Sequence, residues 1–143
     1  MKMEIRESEQ RFLLLQKFLQ ENALGDFQVT PLADDCSFRR YFRVKANEVS
    51  FVVMDAPPEK EDTRPFIEIS KLLNGYGFSA PRVFKVDSMN GFLILEDFGN
   101  ETYTKALSED KDELCLYHLA IDLLIDLGRR NYEEEISFLP KYD

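Results

Sequence analysis

The sequence predicts an α+β fold, a five-stranded antiparallel sheet with flanking helices. Three observations lead there. Five runs with strand character fall between Phe27 and Leu95, some of them joined by short polar turns. A stretch of helical period precedes them, and a second separates the third run from the fourth. After the fifth run the pattern changes to one long, almost wholly apolar helix.

Composition sets the outer bounds. At 143 residues the chain has the length of one domain, enough to build a core. No apolar run approaches the roughly 20 residues of a membrane-spanning helix. The opening Met1-Lys2-Met3-Glu4-Ile5-Arg6 lacks the apolar centre of a signal peptide. A cytoplasmic protein is therefore expected, with Cys36 and Cys115 as free thiols. With one histidine and no Cys/His cluster at ligand spacing, no metal site is predicted. The net charge of −9 argues against a general nucleic-acid surface, and no membrane partner is expected.

The elements follow in order. Residues from about Ser8 to Leu24 form the first helix. Phe12, Leu15, Phe18 and Leu19 make its apolar stripe, Ser8 is the predicted cap and Gly25 the stop. Phe27–Leu32 alternates as a first strand, and Pro31 marks an edge or a strand end. Phe38–Val44 is the second strand, with Phe38, Arg40, Phe42 and Val44 on one face and Arg39, Tyr41 and Arg43 on the other. Lys45-Ala46-Asn47-Glu48 suits a hairpin connection. Val49–Met54 is nearly all apolar, as expected of a central strand covered on both sides. Pro57 and Pro58 break regular structure, and Asp62 or Thr63 is the expected cap of a second helix with Pro65 in its first turn. That helix carries Phe66, Ile69, Leu72 and Leu73 and stops at Gly75-Tyr76-Gly77. Val83–Val86 and Phe92–Leu95 are the last strands, around an Asn-Gly turn at Asn90-Gly91. Ser108 or Asp110 is expected to cap the final helix, Lys111 to Leu127, whose apolar residues are too many for a solvent-facing surface. A partner chain or self-association is therefore expected to cover helix 111–127.

One stretch carries chemistry on its own terms. The small polar loop Ala33-Asp34-Asp35-Cys36-Ser37 opens the second strand, and Arg39, Arg40 and Arg43 follow at once. Main-chain N–H groups and arginines in that arrangement suit a phosphate. The same arginines equally suit a strand face paired with the chain's many acids. Asp34 and Asp35 also fit turn chemistry, Cys36 fits a loop residue without redox role, and Asp55 with Pro57-Pro58 fits a strand end.

The order of elements resembles the small lobe of kinases of the aminoglycoside phosphotransferase type. Ala33–Arg43, Val53-Met54-Asp55-Ala56-Pro57-Pro58-Glu59 and Phe92-Leu93-Ile94-Leu95-Glu96-Asp97-Phe98-Gly99 are similar to segments of the bacterial sugar kinases of peptidoglycan recycling. Those enzymes phosphorylate the anomeric hydroxyl of N-acetylmuramate and N-acetylglucosamine. The likeness runs from about Phe27 to Asp143. It implies ATP as cofactor, with magnesium held by residues of a large lobe. It places Asp34, Asp35, Cys36, Ser37, Arg39 and Arg40 at the nucleotide phosphates, with Val52 and Met54 on the third strand beside the nucleotide. Leu95, Glu96, Asp97 and Phe98 become a hinge whose main chain meets adenine, with Glu96 and Asp97 side chains in solvent. It also implies that residues 1–100 are a nucleotide-binding lobe and 101–143 the start of a large lobe that the chain lacks.

The departures are specific. Met54 stands where such kinases carry a strand lysine, and Phe66 near the glutamate that pairs with it. Arg39, Arg40 or Arg43 is then expected to meet the phosphate charge. His118-Leu119-Ala120-Ile121-Asp122 echoes a His-x-Asp catalytic loop but falls inside a helical run, so no catalytic residue is assigned. Two functions follow as expectations. The chain is the nucleotide-binding lobe of an amino-sugar kinase, with the sugar bound only when a large lobe is present and no turnover by this chain alone. The alternative is an inactive remnant serving as an interaction or regulatory module.

Overall fold

The computed structural model describes residues 2–22, 25–32, 37–109, 112–130, 136–137 and 139, with side chains from Glu9 onward. The chain divides into two compact units, Met1–Asp97 and Phe98–Asp143. No helix among the described residues is long and apolar enough to cross a membrane.

The first unit is built on one sheet. It holds α1 (Lys2–Glu21), β1 (Phe27–Pro31), β2 (Arg40–Ala46), β3 (Val49–Asp55), α2 (Arg64–Gly75), β4 (Val83–Asp87) and β5 (Phe92–Glu96). The strands lie in the order β1-β2-β3-β5-β4, and every pairing is antiparallel. Pro31 sits at the end of edge strand β1, where its missing N–H costs no ladder bond. Residue alternation sends the two faces to different cores. Val44, Val53, Phe92 and Ile94 bury against Leu15, Phe18 and Leu19 of α1. Phe18 and Phe92 stack with ring centroids 5.7 Å apart. On the opposite face Met54, Leu93 and Leu95 form a second core that Phe66 and Ile67 of α2 cover. β3 is thus covered on both faces, as its nearly continuous apolar run predicts.

Several boundaries differ from expectation, each for a local reason. α1 begins at Lys2 rather than at a Ser8 cap, because Glu4 to Glu7 are compatible with helix and nothing there breaks it. β2 begins at Arg40, leaving Phe38 outside, where Lys60 lies 5.3 Å from its ring centroid. β2 also takes in Lys45 and Ala46, so the hairpin shrinks to Asn47-Glu48, and Asn47 accepts the left-handed backbone at φ 55°. Thr63 makes no side-chain cap on α2. The Asp62 carboxylate instead accepts from the Arg64 guanidinium and main-chain N–H, which holds it below the usual carboxylate range. At Asn90-Gly91 only the glycine has positive φ, so this is not the mirror-image turn that Asn-Gly suggests.

The second unit contains a helix the sequence reading lacked, α3 (Tyr103–Ser108), capped by Thr102. Ser108 therefore ends a helix instead of starting one. The long helix α4 spans Glu113–Gly128 and is capped by Asp112, whose carboxylate accepts from the Cys115 N–H at 3.2 Å. None of its residues is buried, and Leu114, Leu119, Ile121 and Leu124 are all exposed. His118 lies within it and is exposed, as does the free thiol Cys115. Asp112→Ala removes the cap at a cost of about 1 kcal/mol, so amide exchange at Leu114 to Leu116 should quicken roughly fivefold. Unchanged exchange there would show that the cap contributes nothing.

Candidate functional site

The face of the sheet that α2 partly covers carries Val52, Met54, Leu95 and Asp97 of the predicted residues. Register sets Arg43 of β2 against Val52 of β3, and Val52 against Leu95 of β5. Val52 stays half-buried while Leu95 is buried. Two residues farther along this face toward the end of β5 lie Ser50 and Asp97. Two residues the other way lies Met54, wholly buried. Phe66 packs against the cluster that holds Met54.

Asp97 is not the solvent residue the sequence suggests. Its side chain is only 5% exposed. Arg43 grips it bidentately, Nε donating to Oδ2 at 2.7 Å and Nη2 to Oδ1 at 2.9 Å. The Ser50 hydroxyl donates to Oδ2 at 2.5 Å. The cause is the shared face: side chains from β2, β3 and the end of β5 converge because alternation points all three the same way. Glu96 is half-buried; its carboxylate accepts from the Arg82 N–H at 3.2 Å, and its own N–H donates to the Arg82 carbonyl at 2.9 Å.

The arginines separate. Arg40 falls on the α1 face, as alternation predicts. There its Nε and Nη2 donate to Asp55 Oδ2 at 3.1 and 2.5 Å. Arg11 of α1 donates from Nε and Nη2 to Asp55 Oδ1 at 2.8 and 2.5 Å. Asp55 is wholly buried between the two guanidiniums. Arg39 lies on the α2 side and lines a cavity of about 260 Å³ with Pro65, Phe66 and Ile69. Its Nε donates to Glu61 Oε2 at 3.1 Å. Burial opposes the Arg39 charge, but hydrogen bonds to Glu61 and Tyr41 outweigh it and raise the guanidinium above its ordinary value. Ser37 is exposed, and its Oγ accepts from the Arg39 N–H at 3.1 Å, closing a short turn. Asp34, Asp35 and Cys36 lie outside the described residues, and Phe98 is exposed at the start of the second unit.

The Arg11–Asp55–Arg40 cluster joins residues distant in sequence and has little local signature. Its one signal was the position of Arg11 four residues before Leu15, on the buried stripe of α1. Among the described residues no group of three or more His, Cys, Asp or Glu could hold a metal ion.

Comparison with known proteins places this arrangement. The N-acetylmuramate/N-acetylglucosamine kinase of Pseudomonas aeruginosa is 43% identical over 117 residues, covering 81% of this chain and 33% of that protein. The kinase of the same name from Pseudomonas putida is 37% identical over 132 residues, 90% of this chain and 38% of the relative. That of Neisseria meningitidis is 34% identical over 119 residues, 82% of this chain and 35% of the relative. The chain thus spans about a third of the length of these curated relatives. The five-stranded antiparallel sheet with its flanking helices is a kinase-like N-terminal lobe. Residues 28–128, most of the chain, match the phosphotransferase enzyme family, and the chain belongs to it.

Proposed function

We propose that the first unit is the nucleotide-binding lobe of an ATP-dependent small-molecule kinase. Amino sugars of the N-acetylmuramate and N-acetylglucosamine class are the acceptors once a large lobe is present, and the cytoplasm is the site of action. The observation that carries this reading is the polarity of the α2-side face along β3. At one end stand half-buried Val52, an apolar platform for a base, and the main chain of Glu96 and Asp97. At the other end stand Met54 and Arg39, with Ser37 in the turn just before Arg39. From Val52 to Met54 the strand rises about 7 Å, so base and phosphates occupy neighbouring stations on one strand.

The lobe's own residues bind and orient. Val52 and the main chain of Glu96 and Asp97 hold the base. Arg39 meets phosphate charge in place of a strand lysine, exchanging Glu61 for the phosphate oxygens. Asp34, Asp35, Cys36 and the Ser37 hydroxyl border those oxygens. The nucleotide supplies the phosphoryl group, and magnesium accompanies its phosphates. Arg40 and Arg43 are engaged with Asp55 and Asp97 and serve the scaffold.

Calorimetry of the chain with magnesium-ATP tests this. Arg39→Met should weaken ATP about tenfold, the loss of one charge-assisted contact, and leave adenosine unchanged. Absence of binding by the wild-type chain, alone or with the remaining two-thirds of the P. aeruginosa relative added in trans, sinks the reading. The exposed apolar side chains of α4 favour a second one, an interaction module without nucleotide. It gains support if the chain binds no ATP and sediments as an oligomer.

A further inference from the structure

The Arg43–Asp97–Ser50 cluster occupies an unusual place. β5 ends at Glu96, and the β3–β5 ladder ends with the pairing of Phe51 and Glu96. Asp97 is the last residue of the first unit, so its main chain lies one step beyond the ladder. A residue just past a strand end ordinarily frays. Here the side chain adds an anchor of its own. Two strands reach it, with Arg43 donating twice and Ser50 once. A planar guanidinium meeting a carboxylate bidentately fixes orientation as well as distance. With Arg43 14% and Asp97 5% exposed, the pair is shielded from the screening that weakens surface ion pairs.

We propose that Arg43, Ser50 and Asp97 form a latch that fixes the course of the main chain where it leaves the sheet. On the nucleotide-site reading above, on which this second half rests, the latch sets the main-chain groups that read the base. Register supports the link. Arg43 is the cross-strand neighbour of Val52, so its stem crosses the face beside the base platform to reach Asp97. An arginine held at the base end is a positioning residue and does not contact phosphate. That separates Arg43 from Arg39, although the sequence presents both within one basic patch.

Arg43→Met keeps the stem's length and apolar contacts and deletes the grip. In the ligand-free chain the amides of Asp97 and Phe98 should exchange roughly tenfold faster, with β1–β3 amides unchanged. ATP and adenosine should weaken together, by roughly tenfold, while inorganic tripolyphosphate binds as before. Arg43→Lys, which keeps one contact, should fall between. If Arg43→Met fails to fold, Ser50→Ala removes the hydroxyl's hydrogen bond to Asp97 and should give the same pattern at smaller size. Unchanged exchange at Asp97 and Phe98 overturns the latch. Weakened ATP with unchanged adenosine overturns it too, because that pattern belongs to a phosphate contact. Faster exchange in the variant, with a wild-type chain that binds neither ATP nor adenosine, leaves the latch standing and removes the nucleotide reading.

Discussion

Asp55→Ala should destabilise the folded chain by about 3 kcal/mol, read as a lower urea midpoint at unchanged slope. The carboxylate is wholly buried and accepts from both Arg11 and Arg40. Removing it takes from both guanidiniums the carboxylate they share. Loss of one partner of a buried pair costs roughly 3–5 kcal/mol, mostly as uncompensated charge. The low end applies because Arg11 and Arg40 retain 18% and 30% side-chain exposure and can turn partly to water. Arg11→Met is the informative contrast. Asp55 then keeps Arg40, methionine still covers the Phe92 ring over which the guanidinium lies at 4.9 Å, and the loss should be near 1 kcal/mol. Equal losses for the two variants would show that Asp55 is not the centre of the cluster. A stabilised Asp55→Ala would show that solvation costs outweigh the pairing.

The contrast between Asp55 and its strand shows what the sequence could carry. The sheet was legible because each of its signals is local. Alternation in β2 assigned Arg40 to one face and Arg43 to the other, and the structure agrees. The nearly continuous apolar run of β3 marked a centre, and Pro31 in β1 an edge or a strand end, as found. Met54 and Phe66 read as an absent ion pair, and the two meet in one apolar core.

What escaped depends on partners distant in sequence. Arg11 and Asp55 are 44 residues apart, and Arg43 and Asp97 are 54 apart. Asp55 looked like a strand end and Asp97 like a solvent residue because local pattern ranks a carboxylate by its polarity. Only the third dimension delivers the arginine that permits burial. α3 escaped for another reason. Six residues form a helix too short for periodicity to announce, with Thr102 as its cap.

Gly91→Ala should be the most damaging single methyl in the chain, at about 4 kcal/mol, enough to threaten folding. Its backbone is left-handed at φ +73°, which alone disfavours alanine by about 1–2 kcal/mol. A Cβ there would sit 1.9 Å from the Ala56 carbonyl oxygen and 2.9 Å from its carbon. Neither side can yield easily. The Ala56 N–H donates to the Gly91 carbonyl at 2.9 Å, and Arg11 Nη2 donates to the Asn90 carbonyl at 2.6 Å. Relieving the clash means lifting the β4–β5 turn off both. Gly77 is the control, because φ is +83° there with nothing within 4 Å of a built Cβ. Gly77→Ala should cost only the conformational share, about 1 kcal/mol. If the two alanines cost the same, the close approach at Ala56 is not the cause. The turn and the buried cluster share Arg11, so the losses from Gly91→Ala and Arg11→Met should overlap. In a double-mutant cycle the pair should cost less than the sum by at least about 0.5 kcal/mol, the signature of residues in one network. Simple additivity would mean that the Arg11 contact to Asn90 contributes nothing to holding the turn.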